Sequence, residues 1–219
     1  MSNTCTTPSV ADTEVPPPLY GLDIETDTTV YGLDPRVGRV LAVAVAGADG
    51  VTVIDDPDEL GLLQHLDHHL VGLDPGVLVT WNGARFDLPF LSTRAARGRV
   101  ELGLHLVADP SRGRRPRPGE AGNERGAEAG YRAWWGHHRH LDVYRCYRAD
   151  VGRALGMACS LKAVAALAGL APVVVDTARV HALSPGALRT YVASDAACTR
   201  ELARRRWANA SAAVDRAVA

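Results

Sequence analysis

Lysine is almost missing from this sequence: Lys162 is the only one among 24 basic residues, so nearly all positive charge is carried by arginine. That bias reads first as coding preference and second as a preference for two-point contacts to phosphate, which suit a guanidinium. With 25 acidic residues the net charge is −1, so the chain lacks the basic excess of a protein that coats nucleic acid. Cysteine is also scarce. Cys5, Cys146, Cys159 and Cys198 form no Cys-x-x-Cys pair, which argues against a zinc clip, a dithiol motif or a disulfide framework. They read as small buried hydrophobes in a reducing compartment. No apolar run preceded by positive charge opens the chain, and the longest apolar stretch, Val40 to Ala48, is too short to span a bilayer. A soluble, cytoplasmic protein with no membrane partner is expected. What is present is 47% apolar residues in 219, enough for one domain with a full core.

Residues 1–18 are polar and end in Pro16-Pro17-Pro18, a disordered tail with a stiff spacer. Leu19 to Ile24 reads as a first strand. Arg39 to Ala46 and Val51 to Ile54 flank Gly47-Ala48-Asp49-Gly50, a hairpin signal. Asp58 opens a helix carrying Leu62, Leu63, Leu66 and Leu70 on one face. Gly72 and Pro75 stop it, Val77 to Thr80 reads as a short buried strand, and Phe86 to Arg97 as a helix ended by Gly98. Residues 109–130 hold Arg112, Arg114, Arg115 and Arg117 among Pro and Gly with almost no apolar side chains, which predicts a flexible insertion. Structure is expected to resume with a strand at Leu141-Asp142-Val143-Tyr144. An Ala-rich helix follows near Ser160 to Ala168, then a last helix from Pro185, capped by Ser184, to Arg206. Residues 208–219 read as a C-terminal tail. Hairpin strands followed by strand–helix alternation predict an α/β fold with a mixed sheet.

Three acidic segments stand out. Asp23 and Glu25 lie at i and i+2 where the first strand ends, and period-2 geometry turns both carboxylates to one side, close enough to share a cation. Asn82-Gly83 is a turn signal, and Asp87 follows at the start of the next helix, where an acid also favours the helix dipole. In the last helix, the spacing of four places Tyr191 and Asp195 on one face. Each alone has an ordinary reading as a turn residue, a cap or a surface acid.

In order, Leu22-Asp23-Ile24-Glu25-Thr26, Asn82-x-x-x-Phe86-Asp87 and Tyr191-x-x-x-Asp195 resemble the three exonuclease motifs of the DEDD superfamily in its tyrosine subtype. The resemblance is nearest to the proofreading exonuclease domain of family B DNA polymerases and its stand-alone bacterial relatives. His140 to Tyr144 and Ser160 to Ala165 sit where that group carries similar segments. The histidine subtype would need a His at position 190, which is Thr190. The resemblance covers residues 19–207 and implies a ribonuclease H-like mixed sheet of about five to six strands flanked by helices. It implies a 3′→5′ exonuclease that acts on nucleic acid, at the 3′ ends of single strands, with DNA favoured, releasing 5′-mononucleotides with two Mg²⁺ or Mn²⁺ ions. Such an enzyme grips only a strand end, and its cations add positive charge that the chain lacks. Asp23, Glu25 and Asp195 would hold the ion beside the nucleophile, Asp23 and Asp87 the second, and Tyr191 would position the attacking water. Thr26, Asn82 and Phe86 would meet the terminal nucleotide, Phe86 being as well suited to the core; Asp142 fits a structural role. An exoribonuclease, and a catalytically weak nuclease-like module that binds nucleic acid, remain alternatives.

Other constellations are weaker. His65 and His69 are spaced i, i+4 but enclose Leu66-Asp67-His68, without a metalloprotease Glu. His137, His138 and His140 read as a solvated loop that could reach phosphate. No Gly-x-Ser-x-Gly or Gly-x-x-x-x-Gly-Lys motif occurs.

Overall fold

The computed structural model describes residues 16–29, 34–109 and 130–215. The expected N-terminal tail up to residue 15 and the four insertion arginines, Arg112, Arg114, Arg115 and Arg117, lie outside the described residues.

Seven strands form one sheet in the order β3-β2-β1-β4-β7-β6-β5. β1 (Leu19–Thr26) pairs antiparallel with β2 (Val40–Ala46), which pairs antiparallel with β3 (Val51–Ile54). On its other side β1 runs parallel to β4 (Val77–Thr80), and β4 runs parallel to β7 (His138–Asp142). The far edge is antiparallel: β5 (Leu104–Ala108) pairs with β6 (Tyr131–Trp135), and β6 with β7. Sequence pattern did not predict β5 and β6, so seven strands replace the expected five to six. They are five-residue segments whose pairing spans the insertion, and Asp109 N donates to Gly130 O at 2.7 Å where it leaves and returns.

The two faces of the sheet are built from different side chains. One carries Leu22, Ile24, Val43, Val45 and Leu78 and packs on α1 (Glu59–Val71) and α2 (Asp87–Gly98) through Leu62, Leu63, Leu66, Leu70, Leu88 and Leu91. Asp58 caps α1, accepting from Gly61 N at 3.0 Å, which supplies one of the unpaired amides of the first turn. α2 ends beyond the expected stop: Gly98 is its last residue, and Arg99 takes the left-handed conformation at φ 57°.

The opposite face presents Ala42, Ala44 and Ala46 to the long helix α5 (Pro185–Arg205), at Val192 and Ala196. Beside this patch, Val77, Val79 and Leu141 pack on α3 (Val143–Tyr147), α4 (Leu161–Leu167), α5 and α6 (Trp207–Ala210). Ser184 caps α5, as its sequence predicts, by accepting from Ala187 N. Gly21 makes the approach of α5 close: a Cβ there would sit 2.2 Å from the Ala196 carbonyl oxygen.

Two expectations are corrected. The strand predicted at Leu141 to Tyr144 ends at Asp142, and Val143 begins a helix. His138 and His140 are therefore buried strand residues instead of a solvated loop. The chain also does not become a tail at 208. Trp207 and Ala210 are buried in the core, and Asp215 N donates to His140 O at 2.7 Å. Local pattern could not reveal this, because the groups that hold Asp215 lie on β6 and β7.

Candidate active site

The site gathers at the carboxyl ends of the parallel strands β1, β4 and β7, where open α/β sheets commonly bind ligands. Asp23 and Glu25 share the α5 face of β1 with Gly21, opposite Ala44 and Ala42 of β2. Because those neighbours are small, α5 lies near enough to bring Asp195 down onto the strand. One carboxylate oxygen from each of Asp23, Glu25 and Asp195 lies within 4.8 Å of the others. Among the described residues this is the only such group of three or more His, Cys, Asp or Glu side chains.

Asp87 approaches from the other side as the first residue of α2. The β4–α2 turn that delivers it is tightly specified. Asn82 takes a left-handed conformation at φ 64°, which Asn tolerates better than most residues. Gly83 follows, and a Cβ there would be 2.4 Å from Thr80 Cβ. Asp142, at the end of β7, accepts from Asn82 N at 2.9 Å and fixes the turn. Asp142 therefore has the structural role its sequence position indicated.

The electrostatics follow from this crowding. Asp87 and Asp195 are buried; Asp23 and Glu25 are half-buried by area but densely surrounded by protein. Burial pushes Asp23 well above the ordinary carboxylate range, and the charges of Asp87, Asp195 and Glu25 add to it. Burial, then Asp195 and Asp87, raise Glu25 to about 8. Asp87 rises to about 7, again through burial first, against hydrogen bonds from the backbone amides of Asp87 and Ile24. Asp195 is raised by burial even though Lys162 and Tyr191 hydrogen-bond to it. Desolvation and like charge disfavour ionised carboxylates together, so this arrangement gains from any cation that enters it.

Tyr191, one turn before Asp195 on α5, is buried, and its hydroxyl is raised above its usual value by burial and by Glu25, Asp195 and Asp23. It stays a protonated hydrogen-bond donor and is no general base at neutral pH. Lys162 of α4 donates to Asp195 Oδ1 and lies with its Nζ 4.3 Å from the Tyr191 ring centroid. Sequence reasoning assigned Lys162 no role; its solitary occurrence was the available signal. Thr26 is buried at the end of β1. Asn82 Oδ1 is buried without a hydrogen-bond partner among the described residues, in the turn whose backbone Asp142 holds. Phe86 packs its ring 5.5 Å from Phe90 and against the α1/α2 core.

The other sequence candidates go elsewhere. His65 pairs with Asp56 at the surface, at 3.2 Å. His137 and His138 hydrogen-bond to the carbonyls of Leu73 and Leu70. Thr80, His140 and Asp215 form an in-line chain, with His140 Nε2 2.9 Å from Thr80 Oγ1 and Nδ1 3.3 Å from Asp215 Oδ2. All three are buried, so this triad-like chain fastens the C-terminal segment to β7 and meets no substrate. Cys146, Cys159 and Cys198 are free thiols.

With this geometry in hand, comparison with known proteins is decisive about family. Residues 39–155, more than half of the chain, match the model of the DNA polymerase family B exonuclease domain. The chain belongs to that family. A stretch of 151 residues, 67% of the chain, is 32% identical to the catalytic subunit of DNA polymerase epsilon from Schizosaccharomyces pombe and spans 6% of that protein. The family B DNA polymerase of the hyperthermophilic archaeon Pyrobaculum calidifontis superposes with a TM-score of 0.65 at 21% identity, over 88% of this chain and 25% of that one. That likeness establishes the ribonuclease H-like fold. The chain thus corresponds to a small part of these relatives. The family match includes Asp87 and Asp142 but neither the Asp23/Glu25 strand nor α5.

Proposed function

We propose that this chain is a metal-dependent 3′→5′ exonuclease, releasing 5′-mononucleotides from single-stranded 3′ ends, with DNA as the preferred substrate. The observation that carries the reading is the meeting of Asp23, Glu25 and Asp195 within 4.8 Å, in a chain of the family B exonuclease family. DNA is favoured because the relatives are named as DNA polymerases.

The residues fit divalent cations by their chemistry. Hard oxygen donors, a group of three that among the described residues includes no Cys or His, and carboxyl groups whose charge is disfavoured by burial all match Mg²⁺ or Mn²⁺. Asp23, Glu25 and Asp195 would hold one ion, and Asp87 with Asp23 a second. Two such ions supply charge stabilisation to attacking and leaving oxygens and make water a better nucleophile at neutral pH. The chain's own groups do the rest. Tyr191, whose hydroxyl proton is held by Asp195, would orient the attacking water through the lone pairs of the same oxygen. Asn82 Oδ1 offers an acceptor to the terminal nucleotide, and Thr26 borders its sugar. Phe86 stiffens the floor of that subsite from the core side. No helix among the described residues is long and apolar enough to cross a membrane.

End-labelled single-stranded DNA and RNA, each with and without Mn²⁺, test the proposal. The expected result is a ladder shortening from the 3′ end, faster on DNA. A 3′-phosphate should block it and a circular single strand should resist. Cutting of the circle by protein that Asp195→Asn leaves fully active would overturn the reading; a faster RNA ladder would reassign the substrate.

A further inference from the structure

Lys162 is the chain's only lysine among 24 basic residues, and it sits at the carboxylate site. It occupies the second position of α4, behind the Ser160 cap. A cation in the first turn opposes the helix dipole, so local helix stability does not account for it. Its ammonium reaches α5, donates to Asp195 Oδ1 and lies over the Tyr191 ring at 4.3 Å. The side chain is half-buried, keeping a path to solvent. Asp23 and Glu25 also feel its charge, which opposes their burial. One side chain thus touches the water-orienting tyrosine, one carboxylate of the cluster, and the field of two more.

We propose, resting on the metal-site reading above, that Lys162 is a tethered cation of the reaction: it shares Asp195 with the entering divalent ion and, once displaced, pairs with the substrate phosphate. Lysine is the residue type this exchange needs. An ammonium is a compact point charge on a flexible stem, easily handed from carboxylate to phosphate, whereas a guanidinium would fork onto Asp195 and hold it. In a chain that otherwise uses arginine throughout, that distinction explains the exception. A purely structural role, clamping α4 to α5, predicts different behaviour.

The test uses the full chain, titrated with Mn²⁺ alone after chelator treatment, with free Mn²⁺ followed by electron paramagnetic resonance; single-turnover cleavage is then measured at saturating Mn²⁺. In Lys162→Met, removal of a competing charge should tighten Mn²⁺ binding about tenfold, while cleavage slows about tenfold or more. Lys162→Arg should fail to rescue, binding Mn²⁺ more weakly than wild type. A structural clamp would instead weaken binding and cleavage together in Lys162→Met and be rescued by Lys162→Arg, and that result overturns the proposal. Wild-type affinity and rate in Lys162→Met overturn it too. Absence of Mn²⁺ binding sensitive to Asp23→Ala in the wild type would bring down the metal-site reading itself, which separates the two failures.

Discussion

The two faces of one sheet divide stability from chemistry. On the α1/α2 face, Leu22 and Ile24 of β1 meet Leu62, Leu66 and Leu88, large branched side chains, and of the four carboxylates only Asp87 comes from this side, at the start of α2. On the α5 face, the alternate residues of the same strand are Gly21, Asp23 and Glu25, opposite alanines on β2. There the helix comes close because nothing bulky stands between, and what fills the contact is carboxylate. A strand with period 2 can serve both ends at once, since neighbouring residues face opposite ways. Closeness on the α5 face depends on small side chains, so its packing stabilises less and its geometry matters more.

Breaking the chemical face at its centre should have the largest effect. Asp23→Ala or Asp195→Asn should lower nuclease turnover by about 10³-fold, several kcal/mol of transition-state stabilisation, while circular dichroism stays unchanged. Wild-type cleavage by either variant would sever the carboxylates from activity. On the other face the expectation reverses. Leu66→Ala, at a fully buried position, should cost about 2–5 kcal/mol of stability in chemical denaturation, with the remaining folded protein cleaving normally.

Gly21→Ala probes the seam between the faces, because its Cβ would meet the Ala196 carbonyl at 2.2 Å. Overpacking there should cost about 1–3 kcal/mol and also slow cleavage, since α5 carries Tyr191 and Asp195; stability lost without activity would show the helix position to be unimportant. Tyr191→Phe is expected to slow turnover by about 10–100-fold with Mn²⁺ affinity retained, measured by titration. Loss of Mn²⁺ binding would make the hydroxyl a metal-site member instead.

The smallest effect is in stability against pH. Glu25 and Asp87 rise from 4.5 and 3.8 to about 8 and about 7 in the fold, so between those limits the folded chain holds protons that the unfolded chain has released. Their contribution is complete below about pH 4, falls as pH climbs, and is gone above about 8. In chelator the melting temperature of wild type should therefore decline across this window more than that of Glu25→Gln, and Mn²⁺ should restore it at the alkaline end. Identical slopes in the two proteins would mean that Glu25 does not titrate with folding.

Much of the site could be read along the chain, because Asp23/Glu25 and Tyr191/Asp195 are each paired by local geometry, two residues apart on a strand and four apart on a helix. The α1 stripe, its Asp58 cap and the Ser184 cap were legible for the same reason. Other features depend on partners far away in sequence. β5 and β6 became strands because Leu104 to Ala108 found Trp135 to Tyr131 across the insertion. Asp215 joined the core because His140 and the Ala133 amide were waiting on β7 and β6. That Asp23 and Asp195, separated by most of the chain, share one cluster was decided by the alanines and Gly21 that admit α5, and the link from Lys162 to Asp195 by α4 packing beside it. Sequence by itself determined which side chains each element presents, through periods of 2 and 3.6; only tertiary packing, where burial and charge act across the sheet, decided which of them meet.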